Sequence, residues 1–123
     1  MTIAYWCVLI AGLLPYGATL CAKLGARFDN NNPRQWLAQQ TGWRARANAA
    51  QQNAFEAFPL FAVAVLVAHQ LGAAQPRVDL LAEIFVGARI AYLLAYLADR
   101  ALIRTLVWLT GIVSAVMIFT GGT

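Results

Sequence analysis

Three ionisable residues stand inside otherwise apolar stretches: Glu56, Glu83 and Arg89. A charge at mid-bilayer costs at least about 2.5–3.5 kcal/mol, so such a residue usually faces a partner, a cavity or a site. Arg89 is followed by Tyr92 and Tyr96, and Glu56 is preceded by Asn48, Gln51, Gln52 and Asn53. At about 100° per residue, Tyr92, Tyr96, Arg100 and Arg104 fall within roughly 60° of Arg89 and form one stripe. Asn48, Gln52, Asn53 and Glu56 form a second band, with Arg46 at its edge and Gln51 on another face. Together the two bands describe a polar, cation-rich cleft. Guanidinium groups would take carboxylates there, and tyrosine hydroxyls and amides would take peptide groups. The ligand that suits such a cleft is a flexible anion. The competing reading is a set of snorkelling arginines and interfacial tyrosines. For Arg100 alone the interfacial reading is the better one; for Arg89 with Tyr92 and Tyr96 it is the cleft.

Composition sets the elements that must position these groups. Of 123 residues, 61% are hydrophobic and 11% charged, and the mean hydropathy is +0.61. Soluble domains carry about 25% charged residues. This excludes a soluble globule, a disordered chain and a disulfide scaffold. The expected fold is an all-α membrane protein, an antiparallel bundle of four transmembrane helices, in a single domain over 1–123. The spans fall at about 3–22, 47–71, 79–97 and 105–120, against the roughly 20 residues a bilayer needs. The N-terminal Met1-Thr2-Ile3 lacks the charged start of a cleavable signal, so the first span should be retained. Cys7 and Cys21 are about 21 Å apart on one helix, too far for a disulfide. No Gly-rich phosphate loop, metal-ligand spacing or basic, aromatic-interleaved patch for nucleic acid is present.

The polar stretch from Lys23 to Arg46 contains Asp29-Asn30-Asn31-Asn32-Pro33, a turn signal. Asn32 can cap a short helix with Pro33 at its first position, and Trp36, Leu37 and Trp43 should lie on the membrane surface. Lys23, Arg27, Arg34, Arg44, Arg46, Arg100 and Arg104 fall on the side of the first and third loops, against Arg77 alone on the other. By the positive-inside rule those loops are cytoplasmic and both termini lie outside. Short loops and no organelle signal point to a bacterial inner membrane. Glu83, near Asp79, and His69 should be interfacial at the outer end. Glu56 lies ten residues past Arg46, about 15 Å deep, and Arg89 eleven residues before Arg100, about 16 Å deep. The two can therefore meet as a buried ion pair, either as part of a site or only as a structural bond.

Three segments carry a resemblance. They are Gln51-Gln52-Asn53-Ala54-Phe55-Glu56-Ala57-Phe58-Pro59-Leu60-Phe61, Ala88-Arg89-Ile90-Ala91-Tyr92 with Tyr96, and Ile103-Arg104-Thr105. They resemble signatures of the MAPEG family, the membrane-associated proteins of eicosanoid and glutathione metabolism. The likeness covers most of the chain and is strongest from Arg46 to Gly111. It implies a homotrimer of four-helix bundles, with glutathione as co-substrate in a cleft between subunits near the cytoplasmic side. Carried over by position, it implies that Asn53 and Glu56 hold the glutathione backbone or amine. Arg89, Tyr92 and Tyr96 would line the cleft, and Gln51 would contact glutathione as in the leukotriene-synthase form. Arg104 would stabilise the thiolate. The family arginine four residues before the asparagine is Ala49 here, and the spacing beyond Tyr96 leaves Arg100 and Arg104 both open for the thiolate role. The implied activity is glutathione transfer or peroxidase chemistry on lipophilic electrophiles from the bilayer. Its rival is a non-catalytic, lipid-binding or scaffold member. A small four-span exporter is a weaker third, because the first span has no carboxylate.

Overall fold

The structure is a computed structural model and describes residues 1–121. Its helices are α1 (Ile3–Lys23), α2 (Pro33–Ala38), α3 (Gly42–Gln70), α4 (Gln75–Leu97) and α5 (Ala101–Thr120). All but the six-residue α2 are long and apolar enough to cross a membrane. The chain alternates direction, so α1 and α4 run one way and α3 and α5 the other. α3 and α4 each pack on both α1 and α5, and on each other.

Three of the helices begin earlier than the apolar runs, at Gly42, Gln75 and Ala101 rather than near 47, 79 and 105. Hydropathy marks where lipid begins, whereas helical hydrogen bonding continues into the polar interface. The polar first turn of α3 is tied down at both sides. Arg44 Nη2 donates to the Leu24 carbonyl at 2.7 Å and Arg46 Nη2 to that of Leu97 at 3.3 Å. At the opposite end, Asp79 Oδ1 accepts from the Ala4 N–H at 2.9 Å and Thr2 Oγ1 accepts from the Tyr5 N–H at 3.2 Å. Orphan donors of the first turn of α1 are thereby satisfied, with a carboxylate at the positive end of its dipole.

Small residues hold α1 against α3. Ala4, Cys7, Ala11, Pro15, Ala18 and Ala22 are the buried positions of α1, spaced by threes and fours. Ala47, Ala50, Ala57, Ala64 and Ala68 repeat the pattern on α3. In lipid, apolar burial drives little association, and close backbone approach over small residues supplies the packing energy. The large side chains meet where α3 faces α4: Phe61 and Phe85 stack at 3.9 Å and 6°.

Two expectations for the first loop change. Asn32 precedes α2 as expected, but its side chain makes no capping bond, and its carbonyl accepts from Trp36 N at 3.0 Å. Leu37 does not lie out on a membrane surface. It is buried against Ala22 and Ala47, because α2 folds back onto the bundle. Trp43 does stay exposed.

The turn between α4 and α5 matters most for the site. Arg100 N bonds the Ala95 carbonyl at 2.8 Å and Asp99 N bonds that of Tyr96 at 3.1 Å. Asp99 takes φ 57°. This is the paired-bond C-terminal stop that usually needs glycine, made here with a short polar residue that tolerates the left-handed region. It lets α5 start at once and brings Arg104 back beside Tyr96.

Candidate functional site

Of the expected stripe, Arg89, Tyr92 and Tyr96 share α4; that helix ends at Leu97, so Arg104 meets the stripe from α5 and Arg100 lies outside it. Arg89 is buried at 5% exposure. Its Nη2 donates to Asn53 Oδ1 at 2.8 Å. The other end of that amide, Nδ2, donates to Glu56 Oε2 at 3.5 Å. The expected direct pairing of Glu56 with Arg89 is therefore replaced by an asparagine relay. Glu56 is exposed and lies one turn further along α3, so Asn53 reaches the guanidinium first. One orientation of the amide serves a cation on its oxygen and an anion on its nitrogen.

The relay continues through aromatic rings. The Arg89 guanidinium stands 4.4 Å over Tyr92, Tyr92 and Tyr96 meet edge-on at 5.7 Å, and the Arg104 guanidinium stands 4.4 Å over Tyr96. A cation over a desolvated ring gains about 2 kcal/mol. Arg104, not Arg100, occupies this place: Arg100 is exposed and caps α5. That resolves which of the two faces the stripe.

Asn53, Tyr92 and Arg104 line a cavity of about 190 Å³ with Thr105 and Trp108. Arg89 lies behind this cavity and lines a narrow crevice between α1, α3 and α4. Gln51 is elsewhere. It lines a separate crevice of about 270 Å³ with Arg34, Asn48, Gln52 and Phe55, and its buried Oε1 has no hydrogen-bond partner. The seven sequence candidates thus divide. Asn53, Tyr92 and Arg104 share one cavity; Tyr96, Arg89 and Glu56 are linked to it by contacts; Gln51 stands apart.

Thr105 and Trp108 were not among the sequence candidates for the site. Trp108 follows Arg104 by four residues and so shares its face of α5, a spacing visible in the sequence. The Thr105 hydroxyl donates to the Ala101 carbonyl at 3.1 Å, which leaves it an acceptor toward the cavity. In the sequence Arg34 is one of the topology charges; what brings it to the crevice of Gln51 is the folding back of α2.

A four-helix membrane bundle with a polar site where α3, α4 and α5 meet defines the class. The chain belongs to the MAPEG family, whose sequence profile matches residues 3–122. No curated protein and no solved structure matches it. The chain is an integral membrane protein with lipid-facing helices.

Proposed function

We propose that this protein is a membrane-bound glutathione transferase or peroxidase acting on lipophilic electrophiles. The observation that carries the reading is Arg104, held over Tyr96 at the rim of a cavity also lined by the Asn53 amide and the Tyr92 ring. Family membership supports glutathione involvement in general.

Glutathione, when bound, supplies the nucleophilic sulfur. An ordinary thiol has a pKa near 8.5 and is only a few per cent ionised at neutral pH. The Arg104 guanidinium favours the anionic form and lowers that pKa. Asn53 and Glu56 take the ligand's peptide groups or amine. Tyr92 and Tyr96 line the cavity and fix the rim, and Arg89 sets Asn53 and Tyr92 in place from behind. Trp108 offers an apolar wall to the lipophilic partner arriving from the bilayer.

Ligand pockets usually enclose about 300–1,000 Å³. A 190 Å³ cavity covers only part of a tripeptide. This favours a homotrimer in which an adjacent subunit completes each site, and Gln51 then serves the neighbour's site. The seven basic residues at one end favour a cytoplasmic placement of the first and third loops in a bacterial inner membrane.

The test is Arg104→Ala, assayed with a halodinitrobenzene as lipophilic electrophile and by glutathione binding. Transfer should fall to background while binding persists; unchanged transfer removes Arg104 from the mechanism. Ala49, where the family carries arginine, favours one rival: a lipid-binding or scaffold member without catalysis. Wild-type protein that turns over no electrophile in this assay supports that rival.

A further inference from the structure

Glu83 does not take part in the site described above. It lies eight residues into α4 and four past Asp79, where the apolar run begins, about 6 Å along the helix axis inside that run. Its neighbour Asp79 is engaged through Oδ1, which accepts from Ala4 N at 2.9 Å and from Gln75 Nε2 at 2.7 Å. Glu83, one turn deeper, forms no hydrogen bond or ion pair among the described residues and is exposed. It opens into a groove of about 420 Å³ between α1 and α4, walled by Trp6, Ile10, Val86 and Ile90. Gly87 follows it by four residues, and a Cβ there would meet nothing within 4 Å. The groove therefore widens beside the carboxylate.

A lone carboxylate at this depth calls for a cation. The chain offers none. Arg77 lies six residues toward the helix start, about 9 Å away along the axis. Arg89 lies as far in the other direction and is buried on Asn53. At the level of Glu83 the other spanning helices are uncharged: α1 has no charge before Lys23, α3 none from Ala57 to Ala68, and α5 none after Arg104. A neighbouring copy related by an axis along the membrane normal presents those same uncharged levels. Charge complementarity therefore favours a ligand over a second subunit.

We propose that the α1–α4 groove is a binding site for lipophilic monocations, amphipathic ammonium-type molecules that enter from the bilayer. Glu83 takes the charge, Trp6 gives an aromatic face to the cationic centre, and Ile10, Val86 and Ile90 take the apolar body. The site shares no residue with the Arg104 cavity, so it stands or falls independently of the glutathione reading.

The test uses the full chain in nanodiscs of zwitterionic lipid, with radiolabelled tetraphenylphosphonium and, as uncharged control, triphenylphosphine oxide. The wild type should bind the cation saturably, at one site per chain, and the uncharged analogue should not compete. Glu83→Gln should weaken binding about tenfold or more, and Glu83→Asp should retain most of it. Gly87→Leu fills the groove at a helical position with open space and should weaken binding to a similar degree while the protein still melts normally. Absence of saturable binding to the wild type, equal competition by the uncharged analogue, or unchanged affinity in Glu83→Gln overturns the proposal.

Discussion

Asn53→Leu is the perturbation that most directly probes the relay at the centre of the bundle. It removes the acceptor that Arg89 holds at 2.8 Å and leaves a guanidinium of 5% exposure without a polar partner. Neutral interhelical hydrogen bonds in membranes average about 0.6 kcal/mol, with a maximum near 1.7. A bond to a charged group contributes about 1.5–3 kcal/mol. The buried charge places this case between the two, at about 2 kcal/mol. At about 4 °C per kcal/mol for a chain of this size, the melting point should drop by about 8 °C. Arg89→Met keeps the apolar stem but loses the cation over Tyr92, and should cost a comparable amount. The double variant removes both partners, so it should be no worse than Asn53→Leu alone. That amounts to a coupling of at least about 2 kcal/mol, well outside the roughly 0.5 kcal/mol expected of independent sites. Thermal melts in detergent, followed by tryptophan fluorescence for the four proteins of the cycle, give this number. Additive losses would refute the relay. A large coupling of Arg89 to Glu56 instead of Asn53 would restore the direct ion pair.

Three further outcomes follow from the packing. Ala64→Leu places three extra carbons at a position with 0% exposure in the core beside the α1–α3 seam. It should cost at least about 1–3 kcal/mol, read as a lower melting point or loss of folded yield. Asp99→Gly relieves a non-glycine φ of 57° and should raise the melting point by a few degrees, whereas Asp99→Val should lower it. Asp79→Ala removes the carboxylate from the first turn of α1 and should cost about 0.5–2 kcal/mol, the range of a lost N-terminal cap. Hydrogen exchange should then be fastest in the amides of Ala4 and its neighbours.

The architecture was legible because membrane insertion imposes a coarse rule: long uncharged runs become spans. Helix starts were less so, because Gly42–Arg46 and Gln75–Val78 are helical through backbone bonds that polarity does not report. The α4 stripe from Arg89 to Tyr96 was readable by helical periodicity alone. Its partner was not. Depth arithmetic placed Glu56 and Arg89 at one level, but it resolves neither azimuth nor reach, and Asn53 lies one turn nearer. The position of Arg104, rather than Arg100, over Tyr96 depended on the tight stop at Asp99, a tertiary outcome that residue spacing does not determine. Gln51 and Arg34 line one crevice because Leu37 anchors α2 onto Ala22 and Ala47.

Titration calorimetry of glutathione into the purified protein tests the central functional claim most directly. Saturable binding is expected at millimolar glutathione or below, with thiolate absorbance that appears in the wild type and is lost in Arg104→Ala. No heat of binding at millimolar glutathione would contradict it.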